Sequence, residues 1–207
     1  PIKRDWDRDI MAAFGLPEKI FPPIDMPGTI RGRLRSDIAR ELGINCAAFA
    51  AVGTHDTASA VAAIPGSGSF AFCSSGTWSV SGMEAELPLL TDEVRDAGFS
   101  NEGNVQGGFC PLKNIMGLWL IQDCRREWQA EGIFLSWDEI VREAEAAEPF
   151  RSIIDTDHAP FFSGARIRQK IRQFCAATNQ PLPDTVGRFA RCIYESLALK
   201  YRYTLEK

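Results

Sequence analysis

Between Ala47 and Met83 the chain carries a run of punctuated apolar segments, and the punctuation narrows what it can fold into. Ala47-Ala48-Phe49-Ala50-Ala51-Val52 is short, wholly apolar and closed by Gly53, the pattern of a buried strand. Thr54 or Asp56 can then cap a helix whose body runs from Thr57 to Ala63, because a side-chain oxygen there accepts a bond from a backbone N–H that the helix leaves unpaired. Pro65-Gly66-Ser67-Gly68 stops that helix. Ser69 to Cys73 reads as a second strand, which Ser74-Ser75-Gly76-Thr77 turns back into a third, Trp78 to Met83. From Cys46 onward the pattern predicts one α/β unit.

Two places in this run can carry chemistry. Asp56 stands where a strand ends and a helix begins, with His55 before it and Thr57 after it. The Ser75-Gly76-Thr77 turn has a glycine at its tip, so backbone N–H groups can approach a phosphate closely while the hydroxyls add donors. Each also has an ordinary reading. An aspartate at such a junction is commonly an N-cap, a Ser-Ser-Gly-Thr turn is commonly a plain hairpin turn, and a lone histidine is commonly a satisfied, partly buried one.

Further strands are expected near 47–52, 69–74, 77–83 and 108–112, and helices at 56–63, 114–130, 136–147, 165–177 and 185–205. In the last helix Val186, Phe189, Ala190, Ile193, Tyr194, Leu197 and Tyr201 recur on one face, which makes those aromatics core. Leu118-Trp119-Leu120-Ile121 is apolar nearly all round and predicts a deeply buried helix. Glu139 to Glu148 reads as a solvated face. The segment with Asp155, Asp157 and His158 reads as turn chemistry rather than a metal cluster. Residues 1–45 differ: a short amphipathic helix at Trp6 to Phe14, a proline-rich extended stretch from Phe21 to Gly28, and a helix at Ser36 to Leu42 ended by Gly43.

Composition excludes several classes. The net charge of −4 gives no support to nucleic-acid binding, which usually shows a basic face. There is no apolar run of about 18 residues to span a membrane, and no leader opens the chain. The six cysteines are scattered with no C-x-x-C pair, the usage of reduced, mostly buried thiols in a cytoplasmic protein.

His55-Asp56-Thr57-Ala58-Ser59-Ala60-Val61, Ser74-Ser75-Gly76-Thr77-Trp78-Ser79, Asn101-Glu102-Gly103, Leu112-Lys113-Asn114-Ile115-Met116-Gly117-Leu118-Trp119-Leu120 and Ala190 to Leu199 occur in that order over most of the chain. Together they resemble the C-terminal half of a sugar kinase of the FGGY family, in its rhamnulokinase branch. The resemblance implies a ribonuclease-H-like α/β domain of the actin-like ATPase fold. It also implies phosphoryl transfer from ATP with Mg2+ to a ketose hydroxyl, L-rhamnulose or a related ketose. On it, Asp56 matches the catalytic base, and His55 and Thr57 match sugar contacts beside that base. Ser75, Gly76 and Thr77 match the turn that holds ATP phosphates, and Gln106 matches a position near ATP. No metal ligand is implied here. The pattern departs at Gly98, where the branch carries an asparagine that contacts the sugar; this bears on which ketose is used more than on the reaction.

The resemblance further implies residues 1–45 as the tail of an N-terminal kinase domain, 46–207 as a partial C-terminal domain incomplete at its C-terminal end, and the N-terminal domain as partner. A piece so cut is expected to expose Ile10, Phe14, Ile20 and Phe21, to self-associate, and to be inactive alone. Two other readings stand beside it: a different enzyme of the fold, such as an ATPase with no sugar substrate, and a non-catalytic α/β nucleotide-binding or interaction domain.

Overall fold

The computed structural model describes residues 2–66, 68 and 70–206. Ser67 and Ser69, counted above in a turn and a strand, lie outside the described residues. In chain order the elements are α1 (Arg8–Ala13), β1 (Ile30–Arg33), α2 (Ser36–Leu42), β2 (Ala48–Ala50), α3 (Asp56–Ala62), β3 (Ala71–Ser75), β4 (Trp78–Met83), α4 (Asp92–Asp96), β5 (Ser100–Gly103), β6 (Phe109–Met116), α5 (Trp119–Ala130), α6 (Trp137–Ala146), α7 (Ile167–Ala177) and α8 (Val186–Leu205). β1 and β2 make an antiparallel ribbon, and the other strands form one sheet in the order β3-β4-β6-β5. The chain divides into two compact units, Pro1–Phe70 with Met83–Leu112 and Ala71–Gly82 with Lys113–Lys207, so the division falls inside β6.

In the first unit local chemistry sets the ends of the helices. The Asp7 carboxylate accepts the N–H groups of Asp9 and Ile10, each at 3.1 Å, and starts α1. α2 ends at Gly43, whose φ of 65° suits glycine. The buried strand expected at 47–52 is instead the three-residue β2, exposed throughout, with Phe49 at 55%. An apolar run is buried only where another layer packs on it, and β2 has one short partner whose register is broken between Ile30 and Gly32. Ile10, Phe14 and Ile20 are exposed, whereas Phe21 is half-buried with its ring 4.9 Å from that of Trp6. β5 comes from Ser-Asn-Glu-Gly, a composition that reads as a turn. It forms because β6 offers a paired edge, Ser100 opposite Leu112 through Gly103 opposite Phe109.

The second unit carries the larger core. α5, α6, α7 and α8 surround Leu120, Trp128, Ile140, Ile171 and Ile193, with Phe161 of a 3-10 turn (Ala159–Phe162) packed among them. A capping box starts α6: the Ser136 hydroxyl accepts the Glu139 N–H at 3.3 Å while the Glu139 carboxylate accepts the Ser136 N–H at 2.7 Å. Thr185 caps α8. α6 and α8 approach at Gly187, where a Cβ would lie 2.2 Å from the Glu143 carbonyl oxygen. The helix expected over 114–130 begins only at Trp119, because Asn114 to Met116 continue β6. Pairing within the sheet overrides helical pattern there, and Leu118 and Trp119 are only partly buried rather than deep in the core. The other expected helices appear within two residues of their bounds.

Asp155 and Asp157 are engaged by Lys200, whose Nζ lies 2.9 Å from Asp155 Oδ1 and 2.8 Å from Asp157 Oδ2. Burial opposes the Lys200 charge, but the hydrogen bonds it donates to Asp157 and Asp155 outweigh it and hold its pKa above the usual lysine value. Asp157 Oδ1 also accepts the Met116 N–H at 3.0 Å, which ties this loop to the end of β6. All six cysteines are free thiols, and four of them, Cys110, Cys124, Cys175 and Cys192, are buried as expected, while Cys46 and Cys73 are exposed. No helix of the described residues is long and apolar enough to cross a membrane.

Candidate active-site residues

The expected capping of α3 by Thr54 or Asp56 does not occur. His55 is the N-cap, in extended conformation and without a side-chain cap bond, and its carbonyl accepts the N–H groups of Ala58 at 3.1 Å and Ser59 at 3.3 Å. Asp56 is therefore the first helical residue, and its carboxylate is not consumed by a cap further along the helix. Asp56 Oδ1 accepts the Thr57 N–H at 2.7 Å and lies 3.5 Å from the Thr57 hydroxyl. The side chain is 99% exposed, which leaves it open to a substrate. The close approach that shapes this turn is at Gly53, where a Cβ would sit 3.0 Å from Val105 and 3.2 Å from the Ser59 hydroxyl. That hydroxyl donates to the Gly53 carbonyl at 2.8 Å.

His55 is flanked by two carboxylates. Its Nε2 lies 3.8 Å from Asp56 Oδ1 and its Nδ1 lies 3.4 Å from Glu102 Oε2. A neutral imidazole with its proton on Nδ1 can donate toward Glu102 and present a lone pair beside Asp56. In the sequence Glu102 stands out only within Asn101-Glu102-Gly103; that it faces His55 follows from the fold. Gln106 belongs to the same unit, in the loop between β5 and β6. Asn104 builds that loop: its Oδ1 accepts the N–H groups of Gln106 at 3.1 Å and Gly108 at 2.7 Å, and its Nδ2 donates to Glu84 at 3.1 Å. Gln106 itself is exposed.

In the second unit, the Ser75-Gly76-Thr77 turn joins β3 to β4 and is locked to the start of α5. The Leu118 N–H donates to the Gly76 carbonyl at 2.8 Å and the Trp119 N–H to the Thr77 carbonyl at 3.1 Å. In a trans peptide the N–H points opposite to the carbonyl. The N–H groups of Thr77 and Trp78 are thus directed away from α5, as an anion-binding turn requires. Gly117 makes the fit possible, since a Cβ there would lie 2.4 Å from both the Gly76 carbonyl oxygen and the Ser79 hydroxyl.

Two residues that sequence reading missed as site residues meet this turn. The Thr77 hydroxyl lies 3.3 Å from Gln122 Oε1 and 3.2 Å from Gln122 Nε2, so the glutamine amide faces the hydroxyl edge-on. The Tyr201 phenol hydrogen-bonds the Ser79 hydroxyl at 2.6 Å and the Ser75 hydroxyl at 3.3 Å. Helical spacing had placed Tyr201 in the core. Its ring is indeed packed against the core, but its oxygen reaches the turn. A helical period shows which face a tyrosine ring occupies and says nothing of where the hydroxyl ends.

A family model for the C-terminal domain of the FGGY family of carbohydrate kinases matches residues 71–207. The rhamnulokinase of Bacteroides thetaiotaomicron is 42% identical over 199 residues, covering 96% of this chain and 40% of that protein. The rhamnulokinases of Oceanobacillus iheyensis and Bacillus subtilis are each 34% identical, covering 99% and 97% of this chain and 42% and 41% of their own lengths. The chain therefore spans about two fifths of the length of these curated relatives. Among solved structures, a carbohydrate kinase from Novosphingobium aromaticivorans superposes with a TM-score of 0.57 at 19% identity, covering 100% of this chain and 44% of that one. That superposition shows the mixed α/β fold of the actin-like ATPase class, and with the match over residues 71–207 it follows that this chain belongs to the FGGY family of carbohydrate kinases.

Proposed function

We propose that these residues form the C-terminal part of an ATP-dependent ketose kinase, with L-rhamnulose or a related ketose as acceptor. Residues 1–45 would close the N-terminal domain, which is the partner of 46–207 in the same cytoplasmic enzyme. The observation that carries this reading is the Asp56 carboxylate, fully exposed at the start of α3 and flanked by a histidine whose Nδ1 lies 3.4 Å from Glu102 Oε2. Phosphoryl transfer asks the protein mainly to align the reactants, neutralise charge and accept the hydroxyl proton. Asp56 orients the attacking hydroxyl and takes its proton as the oxygen begins to bond phosphorus. His55 and Thr57 contact the sugar beside it. The N–H groups and hydroxyls of Ser75, Gly76 and Thr77 hold phosphate oxygens. Gln122, which faces the Thr77 hydroxyl, shares that contact, and Gln106 lies toward the nucleotide.

When bound, Mg2+ would neutralise charge across the outer phosphates. No residue is assigned to it, and among the described residues no group of three or more His, Cys, Asp or Glu side chains is placed to hold a metal. Replacing Asp56 with Asn in the full-length kinase tests the assignment. Turnover should fall by about 100-fold or more, the scale of a lost general base, with ATP affinity nearly unchanged. Weakened ATP binding with kcat retained would refute it. The 207 residues alone should show no ketose-dependent ATP consumption, because alignment by the other domain is a large part of the rate.

A further inference from the structure

Ser75 and Ser79 stand on the two arms of the hairpin that carries Gly76-Thr77. Ser79 is fully buried and Ser75 exposed, and the phenol of Tyr201 lies between their hydroxyls. Each of the three oxygens has one hydrogen to give and can accept at its lone pairs. If Ser75 donated to Tyr201, it would present only lone pairs outward and would repel a phosphate oxygen. If Ser79 donates to Tyr201 and Tyr201 donates to Ser75, the Ser75 hydrogen is left to point outward, and each bond in such a chain strengthens the next. The tyrosine is firmly placed. It sits on α8 one turn beyond the core residue Leu197, and its neighbour Lys200 is anchored by Asp155 and Asp157. Asp157 in turn accepts the N–H of Met116, the residue before Gly117, which is pressed against the turn. The end of α8 thus braces the hairpin directly and braces the junction behind it through one aspartate.

We infer that Tyr201 is a positioning residue for phosphate binding: its phenol couples Ser79 to Ser75 and turns the Ser75 hydroxyl hydrogen toward a phosphate oxygen. This rests on the proposed phosphate role of the Ser75-Gly76-Thr77 turn. The test uses the full-length kinase, with ADP and AMP affinities measured by calorimetry for wild type, Tyr201→Phe, Ser75→Ala, the double variant and Thr77→Val. Tyr201→Phe should weaken ADP by about 3- to 10-fold, the worth of one oriented hydrogen bond, and leave AMP within about 2-fold because AMP lacks the outer phosphates. In the Ser75→Ala background the same change should cost less than about 2-fold, since the group it acts through is gone. A purely structural tyrosine would lower the melting temperature without moving the ADP-to-AMP ratio, or would act equally in both backgrounds; either result overturns the inference. If Thr77→Val weakens ADP while Tyr201→Phe does not, the inference alone fails. If neither variant changes ADP affinity, the phosphate reading of the turn fails with it.

Discussion

Gly117→Ala puts a single methyl group where the Ser75-Gly76-Thr77 turn meets the residues that lead into α5. Gly117 needs no left-handed backbone, so the change acts through space alone. The new Cβ would lie 2.4 Å from the Gly76 carbonyl oxygen, 2.4 Å from the Ser79 hydroxyl and 2.9 Å from the Ser79 nitrogen. Two of those three are backbone atoms and cannot swing aside, so the turn must retreat by about 1 Å to regain ordinary contact. That retreat stretches the bonds from Leu118 to Gly76, 2.8 Å, and from Trp119 to Thr77, 3.1 Å. Two weakened hydrogen bonds and an overpacked contact cost about 2–4 kcal/mol together. For a chain of this size that lowers the melting temperature by about 5–15 °C. If the turn holds phosphate as proposed, a displacement of this scale should reduce kcat/KM of the full-length kinase by about 100-fold. Gly103→Ala is the control, since no atom lies within 4 Å of its added Cβ, and its stability should stay within about 0.5 kcal/mol of wild type. Thermal unfolding of both variants, with ADP titration, checks the argument. A Gly117→Ala protein that melts with wild type and binds ADP equally would refute the packing on which the turn's placement depends.

Thr77→Val keeps the side chain's shape but loses its hydroxyl; ADP and ATP should bind about 3- to 10-fold more weakly and AMP nearly as before, as measured by calorimetry. Gly187→Ala should destabilise without touching the turn, because its Cβ would meet the Glu143 carbonyl oxygen at 2.2 Å and force α6 from α8; a lower melting temperature with unchanged ADP affinity in whatever folds is the expected pair of results. Burial, with the nearby charges of Glu84 and Glu102, pushes the Cys110 thiol up to about 11 from 9.0. The folded state then keeps a proton that the unfolded chain gives up, so stability is full below pH 9 and declines as pH rises toward 11. Melting temperatures across that window should fall, and Cys110→Ala should remove part of the fall; an identical slope in the variant would show that the thiol is not the group responsible.

What the sequence disclosed and what it withheld follow from the range of the forces involved. Helices α6, α7 and α8 form within two residues of their expected bounds because what sets them is local: the structure shows a capping box at Ser136 starting α6, a cap at Thr185 starting α8, and on α8 the apolar face that repeats every turn. The start of α5 was not, since whether Asn114 to Met116 coil or extend depends on a sheet partner far along the chain. β5 was invisible for the same reason. Asp56 and the Ser75-Gly76-Thr77 turn could be named from residue type and order, yet neither pattern could say that His55 rather than Asp56 takes the capping position. That difference matters chemically: His55 holds the N-cap position without a side-chain cap bond, and Asp56, whose Oδ1 accepts the Thr57 N–H, keeps a side chain that is 99% exposed. Glu102 was in view as a member of a motif and Tyr201 as part of a helical face, while Gln122 was not singled out; each meets another element by a polar tip. The identity of such tips is written in sequence and their meeting points are written in packing. The groups around this candidate site that reward mutation first are therefore the ones that periodicity assigns to the core or to a turn, and whose oxygen or nitrogen the fold then aims elsewhere.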